Sequence, residues 1–177
     1  MAAVRSEAPD MLVTTYLHMT SRDQFRAAFA SADGVRIVPL PSPDVPFYRF
    51  LYGSVGEDWR WRDRLIMSDA DLEAVLSRPG TSVDVLYVGD VPAGYVELVN
   101  NGWETELAYF GLRPGFTGMG LGKHLLSHSI ARAWEADIRR LTVHTCNLDS
   151  PRALDNYVKR GFRVYKVHRQ PMPERYQ

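Results

Sequence analysis

A chain of 177 residues, 45% of them hydrophobic, suits one domain with a real core, since a domain of about 150 residues buries roughly 70% of its unfolded surface. Its 21 basic side chains balance 21 acidic ones, which excludes a general field drawing it to nucleic acid or a membrane surface; a charged partner needs a local patch. The only cysteine, Cys146, excludes an internal disulfide framework and a cysteine-rich zinc site, and suits a reducing compartment.

Residues 1–10 read as a disordered lead-in. They lack the apolar core of a signal peptide, and no uninterrupted apolar run reaches about 18 residues. The expectation is a soluble, cytoplasmic protein with a single domain over residues 11–170 and a tail over 171–177. Met11 to Met19 is β-rich and alternating, a first strand. Thr20-Ser21 then offers an N-cap for a helix with Phe25, Ala28 and Phe29 on one side, ended by Asp33-Gly34. Val35 to Leu40 is a short extended piece, and Pro39, Pro41, Pro43 and Pro46 set a rigid, non-helical connector.

Phe47 to Tyr52 and Trp59 to Arg64 gather six aromatics and four arginines within 18 residues. On one or two short helices the aromatics would cover a sheet edge; Arg49, Arg60, Arg62 and Arg64 read as solvated charges before anion clamps. Ser68 to Ser77 is a helix with Ser68 followed three residues later by Asp71, and Arg78-Pro79-Gly80 stops it. Ser82 to Val88 and Ala93 to Val99 form a hairpin about Gly89-Asp-Val-Pro92. After the Asn100-Asn-Gly102 turn, Glu104 to Leu112 is the third strand of an antiparallel meander.

That strand leads into the most informative stretch. Its apolar run ends at Leu112, Arg113-Pro114-Gly115 cannot continue a ladder, Gly118, Gly120 and Gly122 alternate, and helical periodicity starts at Leu121 and lasts to about Glu135. Glycine at every second position removes Cβ atoms where the chain enters a helix, so several N–H groups can close on one ligand. The first N–H groups of a helix lack partners and sit at its positive end, so they favour a phosphate or pyrophosphate. A Walker A loop fails on Thr117 and His124, and a dinucleotide fingerprint starting at Gly118 fails on Lys123. Arg139 to Cys146 is then a strand, Ser150 to Arg160 a helix whose first turn takes Pro151, and Gly161 to His168 a last strand, before a Pro-broken tail.

The segment Leu112-Arg-Pro-Gly-Phe-Thr-Gly-Met-Gly-Leu-Gly-Lys123 resembles the acetyl-CoA-binding motif of the GCN5-related N-acetyltransferase (GNAT) family, Arg/Gln-x-x-Gly-x-Gly/Ala. Thr117 stands at the Arg/Gln position, and Gly120 and Gly122 match. Asn147 to Phe162 resembles the family's second cofactor motif, with Ser150 in place of Asn and with Ala153, Tyr157 and Gly161-Phe162 in register.

The resemblance implies an α+β fold, a mixed, mostly antiparallel sheet flanked by helices. It implies acetyl-CoA as cofactor and CoA as product, held through Phe110, Gly111 and Leu112 at the pantetheine arm. Thr117, Gly118, Met119, Gly120, Leu121, Gly122 and Lys123 would hold the pyrophosphate, and Asn147, Ser150, Ala153 and Tyr157 belong to the second motif. Asn147 or Asn156 would share the contact that Ser150 is too short to make. Gly111 with Pro114 fits a bulge that frees strand N–H groups.

A primary amine is protonated near pH 7, so a base must take a proton before attack on a thioester. Glu106 is the first candidate, with Glu97, Glu104 and His144 as alternatives. Tyr157 stands at the position of the family's general acid. Tyr109, opposite Phe110 by strand alternation, reads as core. Cys146 lacks a catalytic partner, and no metal-ligand spacing occurs, so no metal is implied.

The function implied is acetyl transfer from acetyl-CoA to a primary amine, a small molecule, by direct transfer in a ternary complex. Some connector aromatics would line the acceptor pocket. A non-catalytic acyl-CoA-binding or sensing domain is the alternative suggested by Thr117 and Ser150. Transfer to a protein lysine or N-terminus would need an open groove beside Glu97 and Glu106. Family members often pair, and no residue pattern decides between a monomer and a homodimer.

Overall fold

The structure is a computed structural model that describes residues 7–177; residues 1–6 of the expected lead-in lie outside the described residues. The strands are β1 (Met11–Met19), β2 (Val35–Leu40), β3 (Thr81–Val88), β4 (Val91–Asn100), β5 (Glu104–Leu112), β6 (Arg140–Cys146) and β7 (Arg163–Pro171). They form one sheet in the order β2-β3-β4-β5-β6-β1-β7, antiparallel at every step except between β5 and β6. One face is covered by α1 (Val45–Gly56) and α2 (Asp69–Leu76), the other by α3 (Leu121–Ala133) and α4 (Ala153–Lys159).

Two cores result. Leu17, Met19, Val96, Leu107, Leu141 and Phe162 pack under α3 and α4, while Tyr48, Tyr52, Leu72, Val85 and Tyr95 pack under α1 and α2. Local chemistry starts the second pair of helices' counterparts cleanly: Asp44 caps α1 by accepting from the Phe47 N–H, and Ser68 caps α2 by accepting from the Asp71 N–H. The aromatic connector is only partly helical, with a 3-10 turn at Glu57–Trp59 after α1. Its arginines are not simply solvated. Arg49 donates to the carbonyls of Arg64 and Met67 and to Asp69, holding the connector's main chain.

The expected helix after β1 is absent. Its capping signal is real, with a Ser21–Gln24 capping box, but it yields only the 3-10 turn Arg22–Gln24. Residues 25–32 instead run extended across α3 and α4, because every second N–H finds an acceptor there: Arg26 bonds the Arg160 carbonyl, Ala28 the Ser127 hydroxyl, and Ala30 His124 Nδ1. Those tertiary bonds replace the helical ones. Gly161, at φ +109°, makes room for this crossing, since a Cβ there would stand 1.9 Å from the Gln24 carbonyl oxygen.

β1 occupies the slot between β6 and β7, pairing Leu17 with Val143 on one side and Val164 on the other. Asn147 ties down its start, accepting from the Val13 N–H and donating to the Met11 carbonyl, both at 2.9 Å. At the far end of β7 the chain continues through a 3-10 turn, Glu174–Tyr176.

Candidate functional site

β5 pairs with β4 along its length but with β6 only as far as Leu107↔Val143. Beyond that point β6 pairs with β1 alone. The two strands therefore splay, and the β5 edge over residues 108–112 faces a gap without a strand partner, although backbone polar groups need one.

The bulge that accompanies this opening lies at Ala108, not at Gly111. Tyr109 pairs with Glu97 and Leu107 with Leu98, leaving Ala108 extra, whereas Gly111 pairs regularly with Tyr95. One extra residue reverses the alternation of faces. Leu107 and Phe110 thus both pack toward α3, and Tyr109 toward α1.

A cavity of about 1230 Å³ follows the splay. At one end it is lined by Thr117, Gly118, Gly120, Gly122 and Lys123. Gly118 and Gly120 have φ of +81° and +76°, a left-handed conformation that glycine adopts without steric cost. Gly120 is the N-cap of α3 and no side chain caps the helix, so its first N–H groups point at the cavity end free for an anion. Met119 is exposed and Leu121 buried in the core; neither side chain lines the cavity, so each could contribute only main chain. This uncapped cradle and the unpartnered β5 edge suit the pyrophosphate and the amide-bearing arm of a CoA thioester.

Phe110, Gly111 and Leu112 also line the cavity, as do Ser150, Ala153, Asn156 and Tyr157. Asn147 does not. Its amide is used on both sides by β1, which takes it out of the expected cofactor set. Ser150 accepts from the Arg152 N–H at 3.3 Å, a turn contact at the head of α4.

Tyr157 is 5% exposed, its ring between those of Phe110 and Phe162. Burial, and behind it the Asp149 charge, pushes its phenol well above the ordinary value, so at neutral pH it carries its proton. Glu106 lies across the sheet, lining the same cavity, with His144 Nδ1 3.7 Å from its carboxylate. Both side chains are about half exposed, open to a ligand.

Glu97 is placed differently. It is fully buried beneath α1, bonded to the Tyr48 hydroxyl and to Arg64 at 2.8 Å, and does not line the cavity. Burial raises its pKa, against the lowering pull of Arg64 and Tyr48. With both oxygens engaged and no solvent path, it reads as a structural carboxylate. Glu104 is likewise committed, to Arg140.

Tyr109 is more than core. It lines the cavity with Tyr52 and Trp61, rings 5.1 and 5.3 Å away, and burial pushes its phenol up to about 12. Cys146 also lines the cavity, but burial and then Asp149 push its thiol up to about 11, which keeps it protonated and poorly nucleophilic.

Sequence reasoning passed over Asp149. It accepts from Thr145 and the Cys146 N–H with one oxygen and from the Trp61 indole with the other, joining the connector after α1 to the turn after β6 across the splay. Only its place in the second motif could have pointed to it.

The acetyltransferase (GNAT) family model matches residues 48–162. The chain belongs to that family. The match takes in the cradle, Glu106 and Tyr157. No curated protein sequence matches the chain. Among solved structures, a GCN5-related N-acetyltransferase from Sphaerobacter thermophilus aligns with TM-score 0.68 and 14% identity, over 92% of this chain and 52% of that one. Another from Kribbella flavida aligns with TM-score 0.61 and 14% identity, over 89% and 58%. The chain thus spans little more than half of those GNAT structures. An aminoglycoside acetyltransferase, meta-AAC0020, from an uncultured soil metagenomic sample aligns with TM-score 0.59 and 16% identity, over 71% and 86%. At these identities the likeness is one of fold. Among the described residues, no helix is long and apolar enough to cross a membrane, and no group of three or more His, Cys, Asp or Glu could hold a metal ion.

Proposed function

We propose that the chain is an acetyl-CoA-dependent N-acetyltransferase that passes the acetyl group directly to a small primary amine. One observation carries this reading: Tyr157 and Glu106 reach the same splay from opposite faces of the sheet, beside an uncapped glycine cradle at α3. That is the arrangement a ternary complex needs. Acetyl-CoA would supply an activated acyl carbon and a thiolate leaving group. The main-chain N–H groups of residues 118–123, with Lys123, would hold its pyrophosphate, and the open β5 edge its pantetheine arm.

Glu106 would take a proton from the incoming ammonium, His144 steadying its carboxylate. A C–N bond forms as the C–S bond breaks; the Tyr157 phenol gives its proton to the departing sulfur, the proton then shed by the new amide nitrogen restores the phenol, and Glu106 releases its own proton to solvent. The motif departures at Thr117 and Ser150 leave the main-chain donors intact. Glu106 and Tyr157 together favour a catalyst over a sensing domain, which needs neither proton acceptor nor proton donor at the splay.

Calorimetry with acetyl-CoA, CoA and ATP tests the first half. Selective binding of the two CoA compounds is expected; no binding would end the reading. Thiol release with an amine panel tests the second. Tyr157→Phe should lower kcat about 100-fold with acetyl-CoA affinity within about twofold. Glu106→Gln should lose more at pH 7 than at pH 9, where more of the amine is already unprotonated. Full activity in either variant would remove that residue from its role.

A further inference from the structure

The residues after β7 bridge two parts of the fold. The Met172 N–H donates to the Asp10 carbonyl at 2.9 Å, at the start of β1. Three residues later the chain reaches the connector between α1 and α2. Arg175 Nε donates to one oxygen of Asp63 at 2.8 Å, the Tyr176 hydroxyl donates to the other at 2.9 Å, and Arg60 donates to the Tyr176 carbonyl at 2.8 Å.

One carboxylate therefore receives two donors from consecutive side chains, and a separate bond holds the main chain. Asp63, Arg60, Arg175 and Tyr176 all line the cavity. Their place along it is set by the connector that carries Arg60 and Asp63, whose Trp61 ring packs 5.3 Å from that of Tyr109 on β5, against the core under α1. The contact thus lies on the α1 face, on the side of the sheet that carries Glu106 and away from the cradle. The Trp61–Asp149 bond spans the same splay from the same connector.

We propose that residues 172–177 form a wall of the acceptor end of the cavity and limit the size of the amine admitted, by tying the β1–β7 side to the α1–α2 connector. The inference rests on the N-acetyltransferase reading and specifies its substrate class. Asp63 spends its charge on Arg175 and Tyr176, so it is not left to recognise the ammonium, a task that falls to Glu106. The aromatic faces of Trp61, Tyr109 and Tyr176 leave an acceptor bearing a slim, partly apolar chain behind its amine. A lysine on a peptide would carry flanking backbone into the wall.

The test compares kcat/KM for ethanolamine, tyramine, spermidine and a short lysine-containing peptide in the wild type, in Arg175→Ala/Tyr176→Ala and in Asp63→Asn. Asp63→Asn keeps every side chain near its original volume, so it remains informative if the double variant folds poorly. The wild type is expected to prefer a small amine to the peptide. In the variants the peptide-to-small-amine ratio should rise about tenfold, with acetyl-CoA affinity by calorimetry within about twofold. An unchanged ratio in folded, acetyl-CoA-binding Asp63→Asn would overturn the proposal. A wild type that uses the peptide as readily as tyramine would overturn it too, while leaving the N-acetyltransferase reading in place. A wild type that binds acetyl-CoA and acetylates nothing would defeat both.

Discussion

Glu97 and Arg64 separate the role of a residue from its type. A carboxylate on the strand beside Glu106 invites a catalytic reading, yet Glu97 is 0% exposed and held by Arg64 and Tyr48. Breaking such a pair from the cationic side leaves a buried charge uncompensated, which costs about 3 kcal/mol. Arg64→Met should therefore lose about that much stability in urea unfolding at neutral pH. The pH dependence has a definite sign. In the fold, burial raises the Glu97 pKa and Arg64 opposes the rise, so removing Arg64 lifts it further. A group whose pKa is raised on folding contributes stability that is complete below its unfolded pKa and is lost as pH climbs through the folded one. The gap between wild type and Arg64→Met should accordingly widen from pH 5 to pH 8. A gap independent of pH would mean that Glu97 is not the group left unpaired.

The turn between β5 and α3 depends on backbone shape more than on side chains. Gly120 caps α3 at φ +76°, and a Cβ there would meet only the flexible Lys123 chain at 3.4 Å. Gly120→Ala should thus cost roughly 1–2 kcal/mol of backbone strain, with no core clash. If the cradle holds pyrophosphate, acetyl-CoA affinity should also fall about tenfold, worth about 1.4 kcal/mol. Gly102→Ala is the control: its φ is +105°, its surroundings are open, and it does not line the cavity. It should show the strain without the affinity loss; equal affinity losses would refute the cradle's role. This turn was legible in the sequence because its signal is local, an apolar run, a break and alternating glycines within some 20 residues. The β3–β4–β5 meander and the Ser68 cap were legible for the same reason. The segment after Ser21 was not. Its cap is local and correct, but the acceptors that draw residues 26, 28 and 30 out of a helix belong to Arg160, Ser127 and His124, about a hundred residues away. The Ala108 bulge escaped similarly, since register against β4 decides it and no glycine marks it. At the site, Tyr157 and the glycines could be read from motif spacing, whereas the commitment of Asn147 to β1 and of Glu97 to Arg64 exists only once distant strands meet.

The same distinction governs the whole molecule, through β1. Among the described residues it is the first strand, yet it lies between two of the last, and it is the only neighbour β7 has in the sheet. The splay that opens the cavity also leaves β6 without β5 past Val143, so that end of β6 relies on β1 as well. One wall of the candidate site therefore depends on a strand more than a hundred residues distant in sequence. Leu17 is its most telling side chain, 0% exposed, paired to Val143 and Val164, and part of the core under α3. Leu17→Ala should cost about 3 kcal/mol. At roughly 2–4 °C per kcal/mol for a chain of this size, that lowers the Tm by about 6–12 °C. Because Leu17 shares its core with Val96 and Leu107 from the other half of the sheet, the loss should appear as one cooperative transition at lower temperature. Calorimetry and near-UV circular dichroism would then give the same midpoint. If an early transition instead removed β1, β6 and β7 while the β2–β5 side stayed folded, the sheet would consist of two units meeting at the splay, and the two walls of the site would be free to move independently.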